Sequence, residues 1–144
     1  SISISADGSY IVAGTQTDAG LDELFLFEKS SNTPLWSYDT GNDVRSVSIS
    51  LDGSYIVALE SNGDVRLFSK ESSTPIWEYE NSDYPLSVDI SYDGSTILYT
   101  SESRIYVFDK SSNVPLWNSA TGGTVRSVAL SDDGETIVIG NVFA

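Results

Sequence analysis

Three carboxylates crowd the segment between Thr15 and Glu23: Asp18, Asp22 and Glu23 are close enough in sequence to offer hard oxygen ligands to a calcium ion. Calcium takes about six or more oxygens, so backbone, water or a neighbouring segment must supply the rest; the competing reading is a solvated acidic loop. Beyond this loop the chemistry thins quickly. The chain has neither histidine nor cysteine. A Ser-His nucleophile pair, a thiolate nucleophile, and imidazole or thiolate metal ligation are therefore excluded within it. The remaining carboxylates occupy positions that recur along the chain. No catalytic residue is assigned, no cofactor is expected, and the expectation is a non-enzyme.

Other chemistry-bearing residues recur with the same regularity. Trp36, Trp77 and Trp117 invite a reading as carbohydrate platforms or cofactor stackers, but one indole per repeat is most simply packing between repeats, since a buried aromatic removes about 150–250 Å² from water. Lys29, Lys70 and Lys110 stand beside Glu28, Glu71 and Asp109, an arrangement expected to give local rim pairs of about 0–1 kcal/mol each. Arg45 and Arg126 hold equivalent places where the middle unit has Leu86, preceded by Pro85. The four pairs Asp7-Gly8, Asp52-Gly53, Asp93-Gly94 and Asp133-Gly134, with the extra Asp132, lack the dense ligand series of an EF-hand loop and read as turns.

Aligned on those Asp-Gly pairs, the chain is one unit written about three and a half times: residues 1–45, 46–86, 87–126 and an incomplete 127–144, within a single domain spanning 1–144. The period near 40 residues is that of propeller blades. Each unit predicts four short strands. Ser46–Ser50 alternates Val47 and Ile49 with serines, the period-two signature of a strand, and its counterparts carry Ile2/Ile4, Val88/Ile90 and Val128/Leu130. Second strands are expected at Tyr10–Gly14, Tyr55–Leu59, Thr96–Thr100 and Thr136–Gly140. Third strands are expected at Leu24–Phe27, Val65–Phe68 and Ile105–Phe108. Fourth strands should open at Pro34-Leu35-Trp36, Pro75-Ile76-Trp77 and Pro115-Leu116-Trp117, proline suiting a strand's first residue. No helix-period segment appears. The expected fold is all-β: a partial β-propeller of four-stranded antiparallel blades, about three and a half of them present.

Val44 to Tyr55 resembles the opening of WD40 repeats, and Phe108 to Trp117 resembles the turn and tryptophan of PQQ-like repeats, including the propeller of the outer-membrane assembly lipoprotein class. The Trp-Asp ending of WD40 repeats is replaced here by Phe27-Glu28, Phe68-Ser69 and Phe108-Asp109. The resemblance covers essentially the whole chain. It implies the propeller fold and, through the quinoprotein dehydrogenases, keeps a PQQ-like oxidoreductase fragment as the alternative to a binding module.

Partners are constrained by charge. With 21 acidic against 7 basic residues, a net charge of −14 and a pI near 4.1, the chain should be repelled by phosphate backbones and anionic lipid. Neither nucleic acid nor membrane insertion is expected, since no apolar run approaches the ~20 residues that span a bilayer. The serine-rich, lysine-poor composition points to an extracellular or cell-surface setting. Three and a half blades leave open edges. The expected completion is by the remaining blades of a longer chain, by self-association, or by other proteins capping an open stack. The expected function is a non-catalytic module for protein-protein interaction or structural assembly.

Overall fold

The computed structural model describes residues 1–16, 21 and 23–142. In it, the repeated Asp-Gly pairs close the turns that the sequence predicts. Gly8, Gly53, Gly94 and Gly134 have φ between 68° and 75°, a region that side chains with a Cβ disfavour. Each aspartate accepts the backbone N–H two residues on: Asp7 from Ser9, Asp52 from Ser54, Asp93 from Ser95 and Asp133 from Glu135, at 2.9–3.0 Å. The serine two residues earlier donates its hydroxyl to the same carboxylate. That serine also accepts the N–H that opens the next strand, from Tyr10, Tyr55, Thr96 and Thr136. The recurring Ser-x-Asp-Gly is thus a self-satisfied hairpin connection, and its carboxylates are spent on the backbone.

Fourteen strands follow in chain order among the described residues. β1 (Ile2–Ile4), β2 (Tyr10–Gly14), β3 (Leu24–Glu28) and β4 (Trp36–Tyr38) form the first antiparallel sheet. β5 (Val44–Ile49), β6 (Tyr55–Glu60), β7 (Val65–Ser69) and β8 (Trp77–Tyr79) form the second. β9 (Pro85–Ile90), β10 (Thr96–Ser101), β11 (Arg104–Asp109) and β12 (Trp117–Ala120) form the third, and β13 (Thr124–Leu130) pairs with β14 (Ile137–Val142) alone. The described residues contain no helix. One boundary differs from the sequence reading: the fourth strands begin at the tryptophans. Proline has no N–H to give, so the ladder resumes one residue later, where Leu35, Ile76 and Leu116 donate to Leu26, Leu67 and Val107.

The four sheets stack in chain order, and period-two alternation divides each central sheet between two interfaces. Val44, Val47, Ile49, Ile56, Ala58 and Phe68 of the second sheet pack against Val12, Leu24 and Leu26 of the first. The opposite face of the second sheet, with Val57, Leu59, Val65 and Leu67, meets Val88, Ile90, Ile97, Tyr99 and Phe108 of the third. Leu98, Ile105 and Val107 then face Val128, Leu130, Ile137 and Ile139 of the fourth. With neighbours on both sides, β6 and β10 are buried nearly end to end.

The stack is not of even spacing. Close approach between sheets involves the first strands, β1 with β5, β5 with β9 and β9 with β13, together with the second strand of each sheet against the first strand of the next. The fourth strands make no comparably close approach among the described residues. The first strands are joined by side chains as well. Ser1 and Ser3 accept the N–H groups of Val47 and Ile49, Ser46 accepts that of Val88, and Asp89 accepts that of Leu130. The serines alternating with Val and Ile in these strands therefore satisfy amides on the free edge of the following sheet's first strand.

Candidate assembly faces

Where the fourth strands stand apart, tryptophan spans the gap. Trp36, in β4, lies 5.5 Å from the ring of Phe68 in the next sheet and donates its indole N–H to the Lys70 carbonyl at 2.9 Å. Trp77, in β8, repeats both contacts one sheet later, 5.4 Å from Phe108 and 3.0 Å from the Lys110 carbonyl. Tyr38 and Tyr79 meet the same two phenylalanines edge-on, at 5.1 and 5.0 Å. Each socket is thus an aromatic pocket closed by one half-buried hydrogen bond, a combination that fixes orientation as well as burying area. The packing role expected for Trp36 and Trp77 is what the structure shows.

The lysines do more than the sequence reading assigned. Lys70 lies within 3.9 Å of Glu71, the expected local pair. Its ammonium also sits 4.8 Å from the ring centre of Tyr10 in the preceding sheet, and that of Lys110 is 5.0 Å from Tyr55. These cation-π contacts cross the interface that the tryptophan crosses in the other direction. The signal lay in the coupled recurrence of tyrosine after the Asp-Gly turn and lysine after the third strand.

At the other end of the strands, each interface between four-stranded sheets holds a carboxylate, fully buried in the first and half-buried in the second. Between the first and second sheets, fully buried Glu60 pairs with Arg66 and accepts a hydrogen bond from Asn42, while Arg66 also reaches Glu78 at 3.5 Å. Between the second and third, the equivalent positions hold Asp83, Ser101 and Tyr106. The Tyr106 hydroxyl donates to Asp83, Ser101 is 3.4 Å from the same oxygen, and Asn81 reaches the Tyr99 hydroxyl. Burial raises the pKa of Tyr99 well above its ordinary value, with the Asp83 charge adding to the effect. Acid and donor have exchanged places between repeats, a substitution pattern that a search for chemistry at fixed positions misses.

Of the calcium candidates, Asp18 and Asp22 lie outside the described residues. Glu23 is buried, and its carboxylate accepts the Thr40 N–H at 3.0 Å and the Thr40 hydroxyl at 3.3 Å. Asp64 takes the same place in the second unit, accepting the N–H of Asn81. This contact ties the connection between sheets to the preceding hairpin. Among the described residues no group of three or more His, Cys, Asp or Glu is arranged to hold a metal ion.

Arg45, Leu86 and Arg126 each occupy the bulged position where the first strand loses register with the second. A bulge re-aims its side chain. Arg45 stacks 4.7 Å over exposed Tyr84 and donates to its hydroxyl.

The ends of the stack leave surfaces that are covered everywhere else. Trp77 is 8% exposed, but Trp117 is 45% exposed and all of β12 is open. Among the described residues no third strand pairs with β14 to bring a phenylalanine and a carbonyl to Trp117. On the first sheet, the face equivalent to the one that receives Trp36 and Trp77 exposes Ile2 and Ile4, next to the stacked pair Phe25 and Phe27 at 6.2 Å. No protein-family model matches the chain, and no curated protein matches it.

Proposed function

We propose that this chain is part of a β-propeller and works as a non-catalytic module for protein-protein assembly, its ring completed by further blades of the same kind. One observation carries the reading: the surface around Trp117 repeats the donor side of two interfaces that Trp36 and Trp77 fill inside the chain. The wedge shape of the stack supports a ring. First strands converge while fourth strands need an indole to bridge them, as radial stacking of blades about an axis requires. Open apolar faces of this kind mark interaction surfaces.

The acidic surface sets a second condition. An assembly made by apolar faces should be nearly indifferent to salt, whereas recruitment of a basic partner should weaken steeply as salt screens it. Light scattering at several protein concentrations and two ionic strengths tests the proposal. The expected result is a discrete oligomer whose mass barely changes with salt. A cooperatively folded monomer at every concentration, with Trp117 as quenchable as free tryptophan, would overturn it.

A further inference from the structure

Among the described residues the fourth sheet has two strands, and one edge of β14 has no strand paired to it. In the second and third sheets the corresponding edges, of β6 and β10, are each occupied by a third strand, β7 or β11. Those strands bring three things to the preceding sheet: a phenylalanine under the indole, a backbone carbonyl for the indole N–H, and a lysine over the tyrosine. Adjacent to β14 the first two places are open among the described residues, while the third has no counterpart, because the third sheet carries Thr96 where the first and second carry Tyr10 and Tyr55. The inner half of the interface is already built, since Leu98, Ile105 and Val107 are packed against β13 and β14.

Resting on the propeller reading above, we propose that the edge of β14 and the face around Trp117 form one binding site for a β-hairpin of the repeat's own third-and-fourth-strand type. Its first strand adds antiparallel to β14 by main-chain hydrogen bonds, as in recognition by strand addition. Specificity comes from an aromatic at the Phe68 position, which fills the pocket beside Trp117, and from the carbonyl two residues later, which accepts the Trp117 N–H. The continuity of this site with the Trp36 and Trp77 sockets selects the occupant. A helix offers no ladder to an open edge, and an acidic, aromatic-poor strand would leave the indole bare while adding like charge to a chain of net −14.

The site also predicts what a mismatched neighbour lacks. The first sheet of a second copy, laid directly on β13, would find Ala129 where Ser3 and Asp89 supply the side-chain acceptor. Direct sheet-on-sheet stacking therefore satisfies less than hairpin addition does.

The test uses a peptide copying residues 64–80 with W77F, so that its own indole is silent, against a scrambled peptide of equal composition. It is added to the 144-residue chain, and in a second arm each sequence is joined after Ala144, which raises its effective concentration to the millimolar range. The readouts are amide hydrogen exchange along β14 and acrylamide quenching of Trp117, isolated by difference from W117F. The expected result in either arm is at least tenfold slower exchange in β14 and a loss of quenching, with neither from the scrambled sequence. The same free hydrogen exchange with both sequences in both arms overturns the inference. An oligomer whose β14 stays unprotected defeats hairpin addition alone. A monomer that takes up the hairpin supports it and defeats self-assembly instead.

Discussion

The Trp36 indole donates to the carbonyl of Lys70, 34 residues further along and in the next sheet, and Trp77 repeats the bond to Lys110 across 33 residues. One hydrogen bond of the same kind thus links each of these units to the next. Trp117 has the same sequence context and no such partner among the described residues, so the three indoles form an internal comparison.

Trp77→Ala should cost about 3–5 kcal/mol, the range for removing a large buried aromatic, with the Lys110 carbonyl left unpaired in addition. Trp117→Ala, made at a half-exposed site, should cost less than about 1 kcal/mol. Urea unfolding of the two variants checks this; equal losses would mean that Trp117 is covered in solution.

The buried pair of Glu60 and Arg66 predicts a second asymmetry. Arg66→Met leaves the Glu60 carboxylate buried with only the Asn42 amide as partner, and should cost about 3–5 kcal/mol. The double variant E60M/R66M removes the charge as well and should recover most of the loss. Thermal unfolding of both chains decides it, since a double variant no better than the single would mean that no uncompensated charge was responsible.

Acid should loosen the turns before the core. Hydrogen bonds from the Ser9 backbone and hydroxyl and from Ser5 hold Asp7 down to about 2, and Asp93 and Asp133 are lowered by equivalent bonds. At Asp52 burial works the other way, but the bonds from Ser50 and Ser54 still leave it lowered. A folded-state pKa below the unfolded value adds stability above the unfolded value and loses it as pH falls through the folded one. Stability should therefore decline from about pH 4 to about pH 2. Urea midpoints across that window should fall less steeply for S5A and S50A; unchanged slopes would remove the serines from the account.

Alkali acts with the opposite sign. Burial raises Tyr99, Tyr79 and Tyr106, with the Asp83 charge and hydrogen bond adding to it. Their contribution is complete below the unfolded value near 10 and is lost as pH rises. Phenolate absorbance from these three should appear only well above pH 10, and D83N, which removes a charge that raises all three, should move it to lower pH. Ionisation at about pH 10 in an intact sheet would contradict the burial.

Gly63 has φ of 102°, and a Cβ there would lie 2.5 Å from the Asn81 carbonyl oxygen and 2.8 Å from that of Asp83. Gly63→Ala should cost more than about 1 kcal/mol through strain and displacement of that loop. The displacement should also reach Tyr106 through Asp83, so tyrosine fluorescence should change along with the urea midpoint.

Much of this architecture can be read from local rules. The spacing of Asp-Gly pairs locates the turns because glycine's positive φ and the aspartate's reach are local properties. The alternation in Ser46–Ser50 locates a strand because side chains in extended backbone alternate faces. The once-per-unit tryptophan implies a contact between units, because a recurring large aromatic must be covered by something that also recurs. What no local rule contains is the pairing across about 40 residues. Lys70 and Lys110 read as partners of their sequence neighbours, but stacking places Tyr10 and Tyr55 beneath them. Glu60 and Asp83, different in kind and position, become equivalent only in the folded chain, where the β6–β7 hairpin brings Arg66 to Glu60 and the third sheet brings Tyr106 to Asp83. The three tryptophans are indistinguishable in sequence context. Only the tertiary structure decides that two are socketed and the third is open, because an indole's burial depends on the sheet that comes next.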